Sequence, residues 1–107
     1  MGEPVIERGI LEYLNMLPYC RAYKTPNQGS KGVRKKAAFK GKSDIACCFH
    51  GLYIAIEVKT KDGVQSQDQK DFEKDIRDAM GIYWLVRSVE DVVVKIRHLR
   101  GTYGAGK

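Results

Sequence analysis

Residues 44–59 constrain the fold more than any other part of the chain. The stretch "DIACCFHGLYIAIEVKT" holds two apolar runs separated only by His50-Gly51, a pair suited to a tight turn. It predicts a hairpin with strands over 44–49 and 52–59. The far end of this hairpin is charged. Alternate residues of a strand share a face, so Glu57 and Lys59 lie together while Val58 points the other way. A carboxylate and an ammonium are costly to place at the end of a core strand. Antiparallel pairing brings Asp44 back to the same end, beside Glu57 and Lys59.

Two carboxylates at one strand end could bind a hard divalent cation through oxygen ligands. Such an ion polarises a phosphate oxygen and neutralises developing charge, and a neighbouring ammonium stabilises a crowded phosphoryl transition state. Phosphodiester hydrolysis uses this set of groups. The plain alternative is a solvent-facing Glu57–Lys59 ion pair, worth about 0–1 kcal/mol. Helix 1 bears on the choice. Val5, Ile6, Ile10, Leu11, Leu14 and Leu17 recur at helical spacing and Pro18 ends the pattern, predicting a helix over 4–16. At about 100° per residue Glu7 falls on the apolar stripe, where a carboxylate must be paired or bind a metal, which makes it the expected third, metal-binding carboxylate of the site. Glu3 lies on nearly the same line at the fraying end, where the helix dipole alone favours an acid.

The remaining pattern predicts a short strand over 20–24 and a long loop, "TPNQGSKGVRKKAAFKG". A helix follows, capped by Ser66, with Phe72, Ile76, Ala79 and Met80 on one face and Gly81 at its end. "IYWLVRS" reads as a buried strand, and Ser88 caps a last helix through Leu99. The expected order is αβββαβα, in a single α/β domain over residues 1–107. The tail "GTYGAGK" matches a phosphate-binding loop only on paper, because a helix precedes it and no Ser or Thr and helix follow. It is expected to fray.

Charge enters through its placement. The net charge is +6, yet between Tyr13 and Ser43 there is no acidic residue. That segment carries Arg21, Lys24, Lys31, Arg34, Lys35, Lys36, Lys40 and Lys42. A local basic block beside a balanced body is the footprint of a polyanion partner, against the plainer reading of a solubilising loop. Three cysteines with no C-x-x-C pair argue against a structural zinc site and read as small apolar fillers. The absence of a long apolar run or signal peptide predicts an intracellular protein with no membrane contact.

The spacing E-(x)n-G-x-S-D-(x)12-E-V-K followed by "GVQSQDQKDF" resembles the PD-(D/E)xK nuclease superfamily. More narrowly it resembles the virus-type replication-repair nuclease (VRR-NUC) family, over nearly the whole chain. The resemblance implies a restriction-endonuclease-like fold, a central mixed sheet flanked by helices. It implies Asp44, Glu57 and the Val58 carbonyl as ligands of Mg2+ or Mn2+, Lys59 as the catalytic lysine, and Glu7 as the helix-1 glutamate of the site. "IERGILEYL" also looks like the corresponding helix of archaeal Holliday junction resolvases. Gln69 matches a glutamine of the family's next helix, thought to assist at the site. The residues offer an equal alternative, an S-x-x-Q capping box with Ser66. Ser43 stands where the motif usually has proline, a position that ligates nothing.

The expected function is a metal-dependent endonuclease on DNA, reading branched structures such as four-way junctions as a homodimer. A small stand-alone domain of this family fits a phage origin. Lys31, Arg34, Lys35, Lys36, Lys40 and Lys42 are the expected nucleic-acid contacts. The rivals are a catalytically silent binding module of the same fold, a flap or nicking nuclease, and an RNA-binding protein using the basic loop alone.

Overall fold

A computed structural model describes residues 2–26 and 40–104. Lys31, Arg34, Lys35 and Lys36 of the basic block lie outside the described residues. The elements are α1 (Glu3–Asn15), β1 (Cys20–Lys24), β2 (Ile45–Phe49), β3 (Leu52–Val58), α2 (Gln67–Asp78), β4 (Ile82–Val86) and α3 (Val89–Leu99). The order is the one expected from the pattern. A π-helical turn, Arg100–Gly104, continues α3 into the segment expected to fray.

The sheet runs β1-β2-β3-β4. The first three strands are antiparallel, and β4 lies parallel to β3. A parallel neighbour needs a crossover, and α2 supplies it. His50 and Gly51 both have positive φ, 51° and 85°, the backbone of a tight hairpin turn. One face of the sheet carries Ile45, Cys47, Phe49, Ile54, Ile56, Val58, Trp84 and Val86 against Ile6, Ile10 and Leu14 of α1 and Val92, Ile96 and Leu99 of α3. Of the predicted stripe of α1, Ile6, Ile10 and Leu14 form its buried face, whereas Val5 is exposed. Asn15 ties the end of α1 to β1, its side chain donating to the Ala22 carbonyl and accepting from the Ala22 amide, both at 2.9 Å.

The opposite face is more thinly covered. Helix α2 buries none of its residues. Phe72 meets Tyr83 edge-on at 6.4 Å, and a cavity of about 500 Å³ remains between Phe72, Ile76, Tyr23 and Tyr53. The expected face of this helix is corrected at its end. Ala79 and Met80 follow the last helical residue, Asp78, and Met80 is exposed with φ 71°. The cysteines also divide. Cys47 is buried with its sulfur 3.5 Å from that of Cys20, whereas Cys48 is exposed and fills nothing. Among the described residues no helix is long and apolar enough to cross a membrane.

Candidate active site at the open end of the hairpin

Hairpin pairing sets Ile45 opposite Ile56, which places Asp44 and Glu57 side by side on the α2 face. Asp44 lies one residue before β2 and Lys59 one residue beyond β3, so both emerge from the sheet just past the last ladder pair. Asp44 Oδ2 accepts from the Val58 amide at 2.8 Å, which holds its carboxylate against the end of β3. Lys59 is fixed through its amide, which donates to the Val86 carbonyl at 3.0 Å. Its ammonium sits 3.7 Å from Glu57 Oε2. The three side chains thus meet at one strand end.

Glu57 is the costly member. It is 2% exposed, and its Oε1 is buried with no hydrogen-bond partner among the described residues. Burial, and then the neighbouring Asp44 carboxylate, push its pKa up from 4.5 to about 8, while the Lys59 ammonium pulls the other way. Burial raises Asp44 as well, opposed by its bond from the Val58 amide. Two buried carboxylates set side by side disfavour each other's charged form, a cost that a bound cation would relieve. The orphaned oxygen, the paired acids and the all-oxygen donor set fit a hard divalent ion.

Gln69 completes the capping box that its sequence context offers and also reaches Glu57. Its Oε1 accepts from the Ser66 amide at 2.9 Å and its backbone amide donates back to the Ser66 hydroxyl, completing a capping box. Its Nε2 donates to Glu57 Oε2 at 2.9 Å. One side chain therefore caps α2 and fixes the carboxylate. The approach to β2 is held just as closely. Gly41, at φ 72°, lies so near the first turn of α2 that an added Cβ would collide with the Asp68 carbonyl. Ser43, buried where proline was expected, donates to the Ile45 carbonyl at 3.1 Å and so shapes the strand start with a hydroxyl.

Glu7 is buried on α1 as its position in the stripe required. It does not join the carboxylate pair as a third member. Lys24 of β1 donates to Glu7 Oε1 at 2.7 Å. Among the described residues no three His, Cys, Asp or Glu side chains are grouped to hold an ion. Lys40 is exposed, and Lys42 lines a polar cavity of about 250 Å³ together with Asp44, Gln69 and Lys24.

Two contributors had no signal in the sequence pattern. Lys24 looked like one lysine of a basic block, and only the pairing of β1 with β2 brings it to the site. Arg87 looked like the end of a strand. Its guanidinium donates to the carbonyls of Thr60, Lys61 and Gly63, pinning the turn that follows Lys59.

A solved structure described as a VRR_NUC domain protein superimposes on this chain with a TM-score of 0.70. The match covers 92% of this chain and 87% of the other at 12% sequence identity. The chain therefore has the restriction-endonuclease-like fold, a mixed sheet flanked by helices. Neither a family model nor a curated protein matches the sequence.

Proposed function

We propose that this chain is a metal-dependent endonuclease that hydrolyses phosphodiester bonds in DNA. The observation that carries the reading is the orphaned Oε1 of Glu57 beside Asp44, at the strand end that also presents Lys59. Asp44, Glu57 and the Val58 carbonyl would hold Mg2+ or Mn2+. When bound, the ion supplies Lewis acidity and charge neutralisation at the phosphate. The chain's own groups do the rest. Gln69 fixes one oxygen of Glu57 and leaves the other for the ion. Lys59 would orient an attacking water and stabilise the added negative charge of the transition state. Lys40 and Lys42 add positive potential beside the polar cavity, where a phosphate backbone would run. The likeness to a VRR_NUC domain protein supports the same chemistry through its fold.

The finer reading is cleavage of branched DNA, most simply a four-way junction, by a twofold dimer. A single site of this kind cuts one strand, and closed twofold dimers offer two identical sites for two strands. Met16 and Tyr19, 80% and 76% exposed, are available to such an interface.

A nicking assay on supercoiled DNA with and without Mg2+ tests the chemistry. Asp44→Ala, Glu57→Ala and Lys59→Ala are each expected to lose cleavage, with Lys59→Ala slowed by about 10²–10³-fold or more. Retained nicking in any of the three removes that residue from the mechanism. A wild-type chain that binds DNA but never nicks it is the silent binding module. Product mapping on junctions and flaps decides the substrate, since paired symmetric nicks support resolution and cuts at single-stranded flaps oppose it.

A further inference from the structure

Lys24 stands between two acidic neighbourhoods. On one side it lines the polar cavity that holds Asp44 and Gln69; on the other it lines a cavity with Glu7. The β1–β2 register sets it opposite Ile45, one residue from Asp44. Its ammonium contacts Glu7 Oε1 at 2.7 Å, while its side chain remains half exposed. Glu7, nine-tenths buried, would otherwise be a bare carboxylate beside the pair formed by Asp44 and Glu57. The two acidic groups thus differ in what they lack. Glu57 keeps a buried oxygen without a partner, whereas the hydrogen bond from Lys24 satisfies Glu7.

We infer that the Lys24 ammonium takes the place of a second cation, so that the site holds one divalent ion, at Asp44 and Glu57, with Glu7 outside its shell. This rests on the metal-dependent reading given above. The charges agree with it. Four carboxylates, Glu3, Glu7, Asp44 and Glu57, face two ammonium groups, Lys24 and Lys59, so a single divalent ion already balances the remaining charge. A second ion would have to displace Lys24 from Glu7. Lys24 also lines the polar cavity where the phosphate would enter. It is therefore a positioning residue for the substrate as well as a neutralising one for Glu7.

The test counts Mn2+ bound per chain by electron paramagnetic resonance of the free ion, in the absence of DNA. Wild type is expected to bind one ion, lost in Asp44→Ala and Glu57→Ala. Glu7→Gln should leave the affinity of that ion nearly unchanged, because removal of a direct ligand would weaken it at least as much as the 10- to 100-fold typical of an outer-shell partner. Lys24→Met frees the Glu7 carboxylate and is expected to add a second ion, and the double variant with Glu7→Gln to return to one. Two ions in wild type, a large loss of affinity in Glu7→Gln, or no gain in a folded Lys24→Met would each overturn the inference. If Lys24→Met does not fold, the Glu7→Gln affinity alone decides. One ion bound without any DNA cleavage would defeat the nuclease reading and leave this inference standing. Full affinity in both Asp44→Ala and Glu57→Ala would defeat the assigned ion site itself.

Discussion

Replacing Glu57 by glutamine keeps the shape of the side chain and its bond from Gln69 while removing its charge. It therefore isolates the cost of holding that carboxylate under α2. The folded pKa of Glu57 is raised from 4.5 to about 8. A carboxyl raised in this way is harmless where both states are protonated, and it destabilises the fold increasingly as pH climbs from 4.5 towards 8. Above that point the cost is constant. The full shift corresponds to a ceiling of about 5 kcal/mol, of which about 4 accrues between about pH 5 and about pH 9. Relaxation of the protein around the buried charge lowers the expected cost to about 2 kcal/mol. Glu57→Gln in the metal-free protein is thus expected to gain about 2 kcal/mol over wild type near pH 9, and little near pH 5. In a domain of this size that is roughly a 10 °C difference in Tm. Urea titrations of both proteins at the two pH values give the comparison, since titrating groups away from Asp44 and Lys59 cancel between them. Saturating Mg2+ should close the gap at high pH by stabilising wild type alone. An identical difference at both pH values would show that Glu57 is not raised, and the argument for the cation site would lose its main support.

Two further outcomes follow from other parts of the chain. Gly41→Ala should weaken the fold by more than about 1 kcal/mol and impair cleavage together, because neither its positive φ nor the Asp68 carbonyl leaves room for a methyl group; wild-type denaturation and nicking would refute the close approach. Neutralising Arg34, Lys35 and Lys36 together should weaken binding of any DNA sequence and lower the salt slope by about 0.9 for each phosphate that no longer has a cationic partner, whereas an unchanged slope would leave the block as a solubilising loop.

The hairpin and its charged end were legible because they are local. Two apolar runs around His50-Gly51 dictate the register, and the register dictates that Asp44 meets Glu57. The burial of Glu7 was legible from helical spacing alone, but its partner was not. Lys24 reaches Glu7 only because α1 packs on β1, a contact across 17 residues that no periodicity encodes. Arg87 was hidden for the same reason, its carbonyl partners lying more than twenty residues upstream. Ala79 and Met80 continued the apolar pattern of α2 past its real end, where Met80 takes a left-handed conformation and turns the chain into β4. Gln69 resisted a single reading because its two amide atoms serve two partners.

The thin seating of α2 has a dynamic consequence. Its polar outer surface and half-covered Phe72 and Ile76 give it less apolar anchorage than the sheet it crosses. Elements of this kind open at lower free energy than the global fold and exchange their amide hydrogens sooner. The first turn of α2 is also the wall that keeps water from Glu57, through Gln69. Each local opening of the helix is therefore expected to rehydrate that carboxylate while β2 and β3 stay paired. Solvent access to the acid pair is thus expected to follow the fraying of a neighbouring helix, and hydrogen exchange at the amides of 67–71 is where it can be read.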